Sequence, residues 1–163
     1  MKRVLLKLSG EALAGEKKTG FDEATCMGVA RQVKQLVDDG IQVAIVTGGG
    51  NFWRGRTSET IDRVKADQIG MLATVMNCIY VSEIFRNAGM KTQILTPFEC
   101  GNMTKLFSKD RANKYFEHGM VVFFAGGNRT AVFLYRHDDH SDGDRNGCGL
   151  HSPRKVHRRR IRQ

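Results

Sequence analysis

The chain reads as an α/β protein, a mostly parallel sheet covered by helices on both sides. Three observations predict this class. Short apolar runs alternate with helix-length amphipathic segments as far as residue 127. The runs are apolar nearly throughout, as strands buried on both faces must be. Three of them break into glycine, in "KLSGE", "TGGGN" and "FAGG".

Taken in order, "KRVLLKLSG" is a buried strand that stops at Ser9-Gly10. From Asp22 to Asp38 the apolar positions Ala24, Met27, Ala30, Val33 and Val37 recur at helical steps, and Gly40 supplies the stop. "IQVAIV" is a second strand, broken by the three-glycine turn. A second helix spans about residues 62–87, with Ile69, Leu72, Ala73, Met76, Tyr80 and Ile84 along its apolar side. "KTQILTP" is the third strand, "SKDRANKYFEHG" a short helix closed by Gly119, and "MVVFFAGG" the fourth strand. The alternation ends there, which predicts an apolar, unpaired sheet edge beside that last strand.

At 163 residues and 18.3 kDa the chain holds one domain with a real core. Its charge is uneven. Residues 1–127 carry 17 Lys+Arg and 13 Asp+Glu, a net +4, whereas residues 128–163 carry 9 and 4, a net +5. Four of the five histidines, His137, His140, His151 and His157, also lie in that tail. The pI of about 9.7 is therefore partly a property of the tail. A basic arm of this kind raises one alternative function, a small nucleic-acid-binding protein.

The cysteines Cys26, Cys78, Cys100 and Cys148 form no CxxC pair, which argues against a zinc site or a disulfide framework. The first residues lack a signal peptide's apolar region, and no run approaches the ~20 apolar residues of a membrane span. The expectation is a cytoplasmic protein with no membrane partner and no protein-bound metal.

Ligands of open α/β sheets bind beyond the carboxyl ends of the strands, where glycines let backbone N–H groups approach an anion. Three glycine turns at strand ends therefore predict a phosphate or nucleotide site. GxxxxGK[ST] and GxGxxG are both absent, so neither a P-loop nor a standard dinucleotide fold is indicated. Lys7 reads either as a strand-end lysine reaching water or as a cation aimed at phosphate. Arg54, just past the three-glycine turn and beside Trp53, is a surface charge or a phosphate ligand. Asp67 is a helix N-cap, a surface acid, or an acceptor for a ligand hydroxyl.

"VLLKLSGEAL", "GIQVAIVTGGGNFWRG" and "ADQIGMLATVMN" together resemble bacterial UMP kinases (uridylate kinases) of the amino-acid-kinase superfamily, in order through residues 1–127. The resemblance implies a three-layer αβα sandwich, a homohexamer, and transfer of the ATP γ-phosphoryl group to UMP with Mg²⁺. It also implies GTP activation and UTP inhibition. By matching positions, Lys7, Leu8, Ser9 and Gly10 correspond to the ATP-phosphate segment, with Lys7 the catalytic cation. Gly50 and Arg54 correspond to ATP-site positions, Gly49 to a glycine that contacts UMP, and Asp67 to the acid that holds UMP.

After Gly127 the family continues as a TGxPYFSTDT loop around UMP, where this chain has "NRTAVFLYRHDD". Read one base out of step, codons for "NRTAVFLYRHD" can encode T-G-Q-P-Y-F-S-T-D-T. Residues 128–163 are accordingly expected to be an irregular, out-of-frame basic tail, and residues 1–127 the N-terminal part of a kinase domain cut after its fourth strand. Such a chain is expected to turn over weakly or not at all.

Overall fold

The computed structural model describes residues 2–54 and 60–127. Residues 128–163, expected to be an out-of-frame tail, lie outside them with their histidines and basic arm.

The first strand, β1 (Arg3–Leu8), leads through the capping residue Ser9 into a short helix, α1 (Gly10–Ala14). Its continuation, a 3₁₀ turn at Gly15–Lys17, precedes α2 (Glu23–Asp38). Strand β2 (Gln42–Thr47) and the long helix α3 (Arg63–Asn87) follow. Then come β3 (Thr92–Thr96), β4 (Lys105–Leu106), α4 (Lys109–Glu117) and β5 (Val121–Phe124).

Local chemistry sets the helix ends. Asp22 accepts from the Thr25 amide at 3.0 Å and from its hydroxyl at 2.6 Å, which caps α2 and lowers the Asp22 pKa. Asp62 caps α3 by accepting from the amides of Val64 and Lys65. At the far end of α2, Gly40 (φ 75°) donates to Val37 O, and Ile41 donates to Leu36 O. These bonds close the helix at the predicted stop.

All five strands are parallel, in the order β1-β2-β5-β3-β4. The predicted class is observed, with two corrections. The fifth strand is β4, whose two residues are too short to show a period in sequence. The other concerns β5, expected beside an open edge but inserted between β2 and β3 with all four residues buried. Its chain crosses back over the sheet after α4, and Val121–Phe124 are apolar on both faces because both faces are covered.

The sheet divides the core into two. On one face Leu6, Leu8, Val43, Ile45, Val121 and Phe123 pack with Leu13, Cys26, Ala30, Val33, Val81 and Phe85 from α1, α2 and α3. On the other, Ala44, Val46, Val122 and Phe124 meet Ala112 and Phe116 of α4. This is a three-layer αβα arrangement, and residues of one strand alternate between the two cores.

Helix faces depart from the expected ones. In α2 the fully buried positions are Cys26, Ala30 and Val33, while Ala24 is exposed. In α3 the inward face carries Ala66, Ala73, Asn77, Cys78, Val81, Ile84 and Phe85. Ile69, Leu72 and Met76, read as core, are 38%, 54% and 48% exposed. The helix is apolar around much of its circumference, so spacing alone cannot choose the face. The small side chains win, because they let α3 approach the glycine turn after β2. Among the described residues α3 alone is long and apolar enough to cross a membrane. Here its inner face packs on α2, β2, β3 and β5.

Candidate functional site

Because every strand is parallel, the turns after β1, β2 and β5 emerge on one edge of the sheet. The β1 and β2 turns touch. Gly48 N–H donates to Leu8 O at 2.9 Å. A Cβ at Gly10 would lie 2.5 Å from Asn51 Oδ1 and 2.8 Å from both Gly48 O and Gly50 N. Only hydrogen fits there, so Gly10 is where the two turns cross. Ser9 caps α1, its hydroxyl accepting from Ala12 N at 3.0 Å.

The three-glycine turn also rests on α3. A Cβ at Gly49 would stand 2.9 Å from Ala73 Cβ and 3.1 Å from Gly70 O. Beneath it lies an amide pair that sequence reading quoted inside "TGGGN" and "TVMN" without singling out. Asn51 Nδ2 donates to Asn77 Oδ1 at 3.0 Å, and Asn77 Nδ2 donates to Asn51 Oδ1 at 2.8 Å. The remaining donors reach Gly20 O at 2.8 Å and Gly48 O at 2.6 Å. Both residues are buried, and all four side-chain N–H groups are satisfied, as a buried amide requires. The pair ties α3, the three-glycine turn and the Gly20 loop together.

Asn77→Asp removes two donors and places a carboxylate against Asn51 Oδ1. It is expected to destabilise the fold by about 3 kcal/mol, read as a lowered urea midpoint at unchanged m. A midpoint equal to that of the parent would show that the amide pair does not brace the turn.

Of the predicted site residues, Leu8, Gly10, Gly49 and Gly50 are brought together here. Arg54 joins them through Glu11, a residue with no distinguishing sequence signal. Its Nη2 lies 2.7 Å from Glu11 Oε1, both side chains being more than half exposed, so the pair contributes little stability. The Glu11 carboxylate in turn lies over Gly50, 3.6 Å from where a Cβ would be.

Lys7 is the exposed penultimate residue of β1, in register with Val46, on the α4 side of the sheet. Asp67 is exposed in the second turn of α3. The cap is Asp62, so the N-cap reading of Asp67 is set aside. Among the described residues, the side chains of Lys7 and Asp67 have no hydrogen-bond or ion-pair partner. Asp67 shares a helix stripe with Gly70 and Thr74, which both face the glycine turn.

The thiols nearby are not nucleophiles. Burial pushes the Cys78 pKa up to about 12, against a 3.4 Å contact with the Thr47 hydroxyl that lowers it. Burial, then Asp22 and Glu23, raises Cys26 to about 11. Among the described residues no group of three His, Cys, Asp or Glu side chains could hold a metal ion.

Comparison with known proteins agrees with this architecture. The model of the amino acid kinase family matches residues 2–139. Uridylate kinases from two strains of Streptococcus thermophilus are 43% identical over 134 residues, covering 81% of this chain and 55% of each relative. The crystal structure of UMP kinase from Bacillus anthracis superposes with a TM-score of 0.74 at 36% identity, over 78% of this chain and 53% of that one. UMP kinase from Ureaplasma parvum gives 0.73 at 28% identity, over 77% and 56%. The chain thus spans about half the length of the relatives it matches. With its fold, its glycine junction and the family match over most of its length, the chain belongs to the amino acid kinase family.

Proposed function

We propose that the chain carries the nucleotide-binding half of a UMP kinase, which transfers the γ-phosphoryl group of ATP to UMP. The observation that supports this best is the crossing of the β1 and β2 turns at Gly10, packed on α3 through Gly49. It presents backbone, Lys7 and Arg54 on one edge of the sheet and Asp67 beside it. In the reaction a UMP phosphate oxygen bonds to Pγ as the bond from Pγ to the β–γ bridging oxygen breaks, leaving ADP and UDP. Such transfer needs positioning and cations rather than acid–base groups.

In this reading Leu8, Ser9, Gly10, Gly50 and Arg54 hold the ATP phosphates, and Lys7 offsets charge on the transferring group. Gly49 and Asp67 contact UMP, Asp67 by accepting from a ribose hydroxyl. A Mg²⁺ ion carried on the ATP phosphates would neutralise their charge. After Gly127 this chain has "NRTAVFLYRHDD" where the family it resembles has its UMP loop, so slow or absent UDP formation is part of the proposal.

The proposal extends to a cytoplasmic homohexamer in pyrimidine nucleotide synthesis, activated by GTP and inhibited by UTP. The exposed stripe of Ile69, Leu72, Met76 and Ile79 supports the self-association. It is an apolar helix face with small residues opposite, of a kind that protein–protein contacts cover.

Calorimetric titration of the 163-residue chain with UMP and with MgATP tests the reading. Both nucleotides should bind. Asp67→Asn should weaken UMP by about tenfold or more while leaving ATP within about twofold, because a charge-assisted hydrogen bond is lost at one ligand only. No heat with either nucleotide would overturn the proposal.

A further inference from the structure

We infer that Thr74 is a positioning residue that sets the β2 turn and the β5 turn in register on α3; the consequence for substrate rests on the reading of Gly49 and Asp67 as UMP contacts. Three bonds converge on this residue. Thr47 Oγ1 donates to Thr74 O at 3.2 Å, anchoring the last residue of β2. Gly126 N–H donates to Thr74 Oγ1 at 2.8 Å, anchoring the turn after β5. Thr74 Oγ1 donates its own proton to Met71 O at 2.7 Å. That last bond fixes the hydroxyl rotor, so a lone pair is left pointing at Gly126.

Neither turn has room to drift. The space a Cβ would take at Gly49 ends 3.6 Å from Thr74 N and 2.9 Å from Ala73 Cβ. Gly126 is buried at φ 80°, with Phe98 Cε1 2.6 Å and Pro97 Cδ 2.9 Å from the position of a Cβ. Its N–H therefore has Thr74 as its partner, and losing it would leave a buried donor unsatisfied.

Thr74 also lies seven residues from Asp67, two helical turns along the same stripe. One residue thus holds the glycine turn, the start of the segment after β5, and their distance to the acid. The hydroxyl ties in the β5 turn and, through Met71 O, fixes the stretch of helix on which Gly49 packs. A valine of the same shape would lose both hydroxyl bonds and keep only the Thr47 bond to the Thr74 carbonyl.

The test compares Thr74→Val with Thr74→Ser in the 163-residue chain, by amide hydrogen exchange and amide resonances together with UMP titration. In the parent, the Gly126 amide should be protected well above that of exposed Gly127. In Thr74→Val, Gly126 protection should fall by about tenfold or more and the Gly49 and Gly50 resonances should move, with UMP bound about tenfold more weakly. Thr74→Ser should stay within about twofold of the parent on each measure. The inference is overturned if Gly126 is unprotected in the parent, if Gly49 is unmoved in Thr74→Val, or if serine behaves as valine does. A parent that binds no UMP counts against the proposed function alone, and the amide measurements still decide the role of Thr74.

Discussion

Gly10→Ala is expected to destabilise the protein by about 3 kcal/mol. Helix propensity alone predicts the opposite sign, since Gly10 is the first residue of α1 and alanine is favoured over glycine in a helix by about 1 kcal/mol. Sterics decide. The new methyl would meet Asn51 Oδ1 at 2.5 Å and backbone atoms of Gly48 and Gly50 at 2.8 Å. Asn51 cannot swing away cheaply, because that oxygen accepts from Asn77 in the buried amide pair. Relief would require parting the β1 turn from the three-glycine turn, so nucleotide binding should be lost with the stability. Gly28→Ala is the matched control, in the interior of α2 with nothing within 4 Å of the added Cβ. It should stabilise by about 0.5–1 kcal/mol. Urea unfolding of the two variants separates the effects, and a Gly10→Ala chain as stable as its parent would refute the crossing as a constraint.

Lys7→Ala should separate binding from transfer. In a full-length relative carrying the equivalent lysine, turnover is expected to fall by about 10²–10³ while nucleotide affinity changes only a few-fold, as for a preorganised cation acting mainly on the transition state. Stability should not confuse the result. Lys7 is exposed, its side chain has no ion-pair or hydrogen-bond partner among the described residues, and it is replaced on a strand already held by six registered pairs with β2. Single-turnover kinetics with both nucleotides saturating is the direct measurement. Normal turnover in Lys7→Ala would leave the lysine a strand-end charge reaching water.

Much of this site was legible before any coordinates. The glycine turns after β1, β2 and β5 stood at strand ends, and a parallel sheet brings strand ends to one edge. Both long helices begin after aspartates in the sequence, Asp22 and Asp62, because a cap acts on amides two and three residues away. What escaped notice is what depends on distant partners. Asn51 and Asn77 are 26 residues apart, and nothing in either neighbourhood says that one amide completes the other. Glu11 is one of many surface acids until Arg54 reaches it across the crossing of two turns.

The same division holds for the fold. Alternating apolar runs and helical stripes sufficed for the class and for the order of the long elements, since burial on two faces and a 3.6-residue period leave their mark locally. Local pattern could not place β5 between β2 and β3, because strand order follows from where the chain crosses the sheet after α4. Nor could it turn α3 the right way. A helix apolar on several sides takes its orientation from what lies beneath it, and here a glycine turn admits Gly70 and Ala73 while Leu72 and Met76 stay outside.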